Sequence, residues 1–149
     1  MSEYEVVIPE TSFSGIEFKQ DELPGIAVVN SALKAFEPKV VFSWHLSLII
    51  DCEDTDEHGM PTAKEEAILG SFEEEINSLM QGIDSERPNS MFLARITWNK
   101  TRELVWRVFE PAMANNTLQD IVAKEDFPRS LDYKMENDPE WNRTRWHLR

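Results

Sequence analysis

The chain has one cysteine, Cys52, among its 149 residues, so no internal disulfide can form. A fold without that staple fits a reducing compartment. Long apolar runs are missing too. A helix that crosses a bilayer needs about 20 apolar residues, and the longest apolar stretch is broken by Ser43, His45 and Ser47. The first residues, Met1-Ser2-Glu3-Tyr4-Glu5, are acidic and lack the apolar centre of a signal peptide. These absences lead to the expectation of a cytoplasmic protein without a membrane partner. Basic residues are scarce: 15 Lys and Arg stand against 28 Asp and Glu, for a net charge of −13. A field of that sign repels phosphates and anionic lipid headgroups. Direct nucleic-acid binding is therefore disfavoured, and a basic protein partner is permitted.

The charge is unevenly placed. Residues 1–50 carry 3 basic and 7 acidic groups, residues 51–86 carry 1 and 12, and residues 87–149 carry 11 and 9. Residues 51–86, about a quarter of the chain, carry −11 and therefore account for most of the imbalance. What the chain has in quantity is core material. Hydrophobic residues make up 41%, with five Trp and eight Phe. That is too apolar and aromatic for disorder, and a chain of this length buries roughly 70% of its unfolded surface without staples. One domain is expected over 1–149, with an N-terminal extension and helix over 1–38, a core over 39–136 and a terminal helix over 137–149.

Periodicity assigns the elements. Tyr4 to Ile8 reads as a short strand ending at Pro9, and Phe13, Ile16 and Phe18 as a second short strand or a loop. Ile26, Val29, Leu33 and Phe36 recur at helical spacing between Pro24 and Pro38, which predicts a helix. Over residues 40–50, Val40, Phe42, Trp44, Leu46, Leu48 and Ile50 alternate with Val41, Ser43, His45, Ser47 and Ile49, the pattern of a strand with one face in the core. Thr62 and Glu65 form a capping-box pair ahead of a helix with the stripe Ile68, Phe72, Ile76, Leu79 and Ile83, ending near Gly82. Residues 91–98 and 102–110 read as a hairpin. A three-residue loop, Asn99-Lys100-Thr101, sets Phe92, Ala94 and Ile96 beside Val108, Trp106 and Leu104. Thr117 is a candidate cap for a short helix with Leu118, Ile121 and Val122 inward. Leu131, Tyr133 and Met135 mark a last strand. Asp138-Pro139-Glu140 is a helix start, with Trp141, Arg145 and Leu148 along one side.

From 40 to 136 the order is β-α-β-β-α-β, which predicts an α+β, ferredoxin-like two-layer sandwich. Right-handed crossovers put both helices on one face. The second face is then open, covered by the N-terminal region, or buried in a homodimer.

That second face carries the candidate site. The register places His45, Arg95 and Arg107 on it, with Ser43, Ser47, Thr97 and Glu103. A cationic pair beside hydroxyls and a titratable imidazole suits an anionic ligand or a partner's carboxylate. The competing reading is internal pairing with Glu103 under the N-terminal segment. Cys52, flanked by Asp51, Glu53 and Asp54, reads as a structural cysteine, because neighbouring negative charge disfavours the thiolate. The carboxylates from Asp51 to Glu57 lack the spacing and central glycine of a calcium loop and read as a solvated loop. No metal or cofactor is expected, and no catalytic group is identified.

Three stretches carry a family resemblance. His58-Gly59-Met60-Pro61-Thr62 precedes an acidic helix. Ala94-Arg95-Ile96-Thr97 and Arg102-Glu103-Leu104-Val105 flank the hairpin turn. Asn137-Asp138-Pro139-Glu140-Trp141 lies near the end. In this order and spacing, over about residues 40–148, the chain resembles a bacterial family known as domain of unknown function six-ninety-five. The resemblance implies an α/β domain and no established activity. Some members are joined to a domain similar to the protein regulator of ribonuclease E activity, subtype B, an association that carries no mechanism here. The leading expectation is a non-enzymatic, protein-binding or regulatory domain. The alternatives are a small anionic-ligand-binding protein or enzyme using the polar sheet face, and a homodimeric structural module.

Overall fold

The structure, a computed structural model, describes residues 4–82, 86–124 and 129–148. Six strands and two helices follow in the order β1 (Phe13–Gln20), β2 (Leu23–Asn30), β3 (Trp44–Asp51), α1 (Ala63–Gln81), β4 (Ser90–Trp98), β5 (Thr101–Val108), α2 (Pro111–Ala123) and β6 (Leu131–Asn137). The fold is α+β. Its single sheet is antiparallel with strand order β1-β2-β4-β5-β3-β6.

The sheet is wider than the expected four strands because the predicted N-terminal helix does not form. Its segment is instead β2, followed by a short 3-10 turn over Ser31–Ala35. Ile26, Val29, Leu33 and Phe36 have helical spacing, but Leu23–Asn30 is held on both sides, by β1 and by β4. Two ladders of backbone hydrogen bonds outweigh a weak local periodicity. Gly25 has a specific role here. A Cβ at that position would sit 2.2 Å from the Phe18 ring, so only glycine lets that ring lie over β2. Tyr4 to Ile8 forms no strand.

The alternation read over residues 40–50 survives from Trp44 onward. Leu46, Leu48 and Ile50 pack with Leu104, Trp106 and Val108 under Leu69, Phe72, Ile76 and Met80 of α1 and Ala114 and Leu118 of α2. Both helices thus lie on one face. The Thr62 Oγ1 accepts from Glu65 N at 3.3 Å and starts α1. The buried stripe is offset from the expected one: Leu69 and Met80 are buried, while Leu79 is 47% exposed. Ile83 lies outside the described residues. α2 begins at Pro111, in the first helical turn, rather than at Thr117.

The opposite face is covered by irregular chain. Tyr4, Leu33, Phe36, Phe42 and Trp141 cluster there with Ala27, Val29, Leu93, Ala94 and Val105 of the sheet. Tyr4 stands edge-on to Phe42 and Phe109 and donates its hydroxyl to Pro88 O at 2.7 Å. Phe42 therefore belongs to this second cluster, in a 3-10 turn over Lys39–Phe42, not to the strand. The predicted terminal helix is reduced to a 3-10 turn over Asn142–Thr144, with Trp141 at φ 59°. Asp138 does cap, accepting from Asn142 N at 3.0 Å and Arg143 N at 2.9 Å. The left-handed Trp141 drives its ring into the core, where Nε1 donates to Phe42 O at 3.0 Å, and a regular helix cannot start there.

Candidate functional site

Register decides where the seven singled-out side chains fall. Asn99 and Lys100, at φ 46° and 64°, make a two-residue turn in which Trp98 pairs with Thr101. The three-residue loop does not form. A bulge between Phe92 and Ala94 sets Phe92 against Trp106 rather than the expected Val108. Below the bulge, Ala94 opposes Val105 and Ile96 opposes Glu103, so these two residues leave the helix face and Arg95 and Thr97 join it. His45, Arg107 and Glu103 consequently lie on one face, and Arg95 and Thr97 on the other. Ser43 ends the first group; its carbonyl accepts from Asp138 N at 2.7 Å. Ser47 donates to Glu103.

Arg107 is fully buried. Its Nε donates to Phe42 O at 3.2 Å, and Nη1 faces Asp138 Oδ2 at 3.1 Å and His45 Nδ1 at 3.3 Å. Nη2 donates to Asp138 O. The guanidinium also lies 4.6 Å from the centre of the Trp141 ring. Burial, and secondarily the Arg107 charge, lowers the His45 pKa to about 4, so the imidazole is neutral at pH 7. It then accepts at Nδ1 and carries its proton on Nε2. Burial opposes ionisation of Asp138, but donors from Arg143 N and Arg107 outweigh it and hold the carboxyl below its ordinary range. Burial lowers the His147 pKa as well, and its Nδ1 is buried with no hydrogen-bond partner. This cluster ties the sheet to the C-terminal turn. Arg107 pairs with Asp138 rather than with Glu103.

The helix face holds the second group. α1 leaves the β2 side of β4 uncovered. Ile26 and Val28 of β2, Arg95 and Thr97 of β4, Arg102 of β5, Glu66 of α1, and Met60 and Pro61 line a recess of about 270 Å³ there. Arg95 Nε and Nη2 reach the two carboxylate oxygens of Glu73 at 2.7 Å each. Such a fork is geometrically specific. Arg102 Nε donates to Thr97 Oγ1 at 3.1 Å, and Nη2 pairs with Glu66. Glu66 and Glu73 are seven residues apart on one flank of α1, and Arg95 and Arg102 are also seven apart across the hairpin. That matched spacing was the signal available in the sequence, and the expected register concealed it.

The third cluster sits at the start of α1. Glu65 is fully buried. It accepts from Arg129 Nε at 2.7 Å and from Glu53 N at 2.8 Å. The Arg129 hydrogen bond, against the opposing effect of burial, brings the Glu65 pKa down to about 2. Burial raises the Cys52 pKa, and the Glu65 and Glu66 carboxylates add to this, so the thiol stays protonated. The Asp51–Glu57 loop is organised by Asp56, which accepts from His58 N at 2.8 Å and Met60 N at 3.0 Å. Among the described residues no three His, Cys, Asp or Glu side chains stand together as a metal site, and no helix is long and apolar enough to cross a membrane.

The acidic segment 51–86 faces water. Of its described carboxylates only Glu65 is buried and Glu73 half-buried; Asp51, Glu53, Asp54, Asp56, Glu57, Glu66, Glu74, Glu75 and Glu86 are exposed. A shallow recess along α1 is lined by Ala67, Ile68, Ser71, Phe72 and Glu75. Leu79 and Met113 are exposed on the two helices.

A family model described as a family of unknown function, DUF695, matches residues 18–145, from β1 to beyond β6. No curated protein matches the chain.

Proposed function

Because the chain belongs to DUF695, a membership that assigns no activity, we propose from its own surface that it is a non-enzymatic module that binds a basic protein through its helix layer. One observation carries this reading. Nine exposed carboxylates cover α1 and the segments at its ends, and Lys64 is the one basic residue between Asp51 and Glu86. Exposed Leu79 provides an apolar anchor on α1 within that field, and Met113 is exposed on α2 of the same helix layer. The groups with chemical potential are engaged internally: His45 with Arg107, Glu65 with Arg129, and Cys52 as the neutral thiol. The finer architecture belongs to the same proposal: β3-α1-β4-β5-α2-β6 is a ferredoxin-like core, and the β1–β2 hairpin extends it at the β4 edge. The strand order β4-β5-β3-β6 supports this assignment. A cytoplasmic location accords with the single cysteine.

Affinity capture tests the module. The tagged chain is exposed to a bacterial lysate at about 50 mM and about 500 mM salt, beside a Glu74→Lys/Glu75→Lys variant. Screening shortens from roughly 10 Å at 0.1 M to 3 Å at 1 M, so a basic partner should be retained at low salt and released at high salt. The variant should retain little of it. Capture that ignores both salt and charge reversal, or no specific capture at low salt, overturns the reading.

A further inference from the structure

The recess beside α1 contains two guanidinium groups whose donors are only partly used. Arg102 is 5% exposed at its side chain and directs Nε to Thr97 and Nη2 to Glu66. Arg95 directs Nε and Nη2 to Glu73. Among the described residues neither Nη1 has an acceptor. A guanidinium carries five N–H donors, and neither Nη1 is a buried unpartnered atom, so both are open to solvent. Two guanidiniums with open donors on the wall of one recess can take an acceptor from outside the chain.

Charge narrows what that acceptor is. Arg95 and Arg102 are balanced by Glu73 and Glu66, so the recess is neutral, and it sits in a protein of net charge −13. A dianion such as phosphate would add uncompensated negative charge there. A simple cation would meet two guanidiniums. A zwitterion satisfies both constraints, because its carboxylate can take the Nη1 hydrogens while its ammonium meets Glu66. Only Oε1 of Glu66 is engaged, and the side chain is 49% exposed. The remaining lining is apolar: Ile26, Val28, Met60 and Pro61. We propose that this recess binds a small α-amino acid with an apolar side chain, its carboxylate on Arg95 and Arg102, its ammonium on Glu66, and its side chain against Ile26 and Met60.

The recess shares Glu66 with the carboxylates of the helix-layer interface, but its test uses no protein partner, so the two readings fail separately. The test is titration of the ¹⁵N-labelled full chain with L-leucine, N-acetyl-L-leucine and L-leucinamide, followed by backbone amide shifts. L-Leucine should give saturable shifts confined to residues 26–28, 60–66 and 95–102. A hydrogen bond to a charged group is worth about 1.5–3 kcal/mol, so each capped analogue should bind at least about tenfold more weakly. Arg95→Gln and Glu66→Gln, at partly exposed positions, should weaken L-leucine by a similar factor while leaving the spectrum otherwise folded. No saturable shift up to about 10 mM, corresponding to an affinity weaker than roughly −3 kcal/mol, overturns the site. So do shifts centred elsewhere, or unchanged binding in Arg95→Gln. N-acetyl-leucine binding as tightly as leucine would make the recess a carboxylate site and overturn the zwitterion.

Discussion

Asp138 reaches Arg107 from 31 residues along the chain, Oδ2 accepting from Nη1 at 3.1 Å with both groups buried. The pair fixes the C-terminal turn to the centre of the sheet, because the same carboxylate accepts from Asn142 N and Arg143 N. Removing one partner of a buried ion pair leaves the other charge uncompensated, at about 3–5 kcal/mol. Asp138→Ala should therefore destabilise the chain by about that much, read as a lower urea midpoint with an unchanged slope. The double variant Asp138→Ala/Arg107→Met should recover part of the loss. A double variant no better than the single would show that the ion pair is not the source.

The pH dependence follows from His45. Its pKa is about 4 in the fold against 6.5 for the free side chain, so between those values the unfolded chain binds a proton that the folded chain refuses. Stability is thus present above pH 6.5 and is lost as pH falls toward 4, by on the order of 3 kcal/mol. His147 is shifted in the same direction by burial and adds to the slope. The window between pH 6.5 and about 5 lies above the ordinary range of free carboxyl side chains, so the imidazoles dominate the slope there. Melting temperatures across that window should fall for the native sequence and stay nearly level for His45→Gln/His147→Gln.

Glu65 gives a second, lower window. Its carboxylate is fully buried, is paired with Arg129, and holds Glu53 N. The pKa of about 2 lies below the ordinary 4.5, so the pairing stabilises above pH 4.5 and the contribution disappears as pH falls through 4.5 toward 2. Glu65→Gln should cost about 3 kcal/mol at pH 7 and little at pH 2. Equal destabilisation at both pH values would assign the loss to packing.

Much of this was legible in the sequence where one physical signal dominated. Leu46, Leu48 and Ile50 alternate without competition, and β3 takes the later part of the strand expected over 40–50, starting at Trp44. Thr62 caps α1 as read, but the reciprocal half of the box does not form, because Glu65 turns its carboxylate to Arg129 and Glu53 N. The failures have definite causes. β2 was misread because its partners lie on both sides of it, and pairing with β4, some 70 residues on, leaves no mark on local spacing. The phase of α1 slipped by one residue because Ile68 and Leu69, like Leu79 and Met80, are adjacent apolar pairs between which periodicity cannot choose. The site suffered most. A three-residue loop would set Phe92 beside Val108, and the two-residue turn with a bulge at Leu93 sets it beside Trp106; both keep Phe92 on the helix face. They differ in which face takes Arg95 and Thr97, and hydrophobic pattern alone does not decide that. Arg107 was found as a polar residue facing away from the helices, but its partner Asp138 was read only as a helix cap.

The turn itself supplies the last prediction, because it fixes the register on which both Arg95 and Arg102 depend. Asn99 and Lys100 both have positive φ, the conformation that hairpins meet best with Asn-Gly. Lys100 therefore sits in a region that L side chains adopt at about 1 kcal/mol of strain, and Lys100→Gly should raise stability by up to that amount. Its backbone N–H donates to Gly59 O at 2.8 Å, and that bond is unaffected by the change. Gly59 is the opposite case. It is at φ 81°, and an added Cβ would meet the Asn99 Cα and Lys100 N at 3.1 Å, backbone that cannot step aside. Gly59→Ala should lower stability by more than about 1 kcal/mol. It should also loosen the hairpin end, visible as faster amide exchange at Trp98 and Thr101. If Gly59→Ala leaves those amides protected, the loop at 55–61 is not what braces the turn, and the register rests on the Leu93 bulge alone.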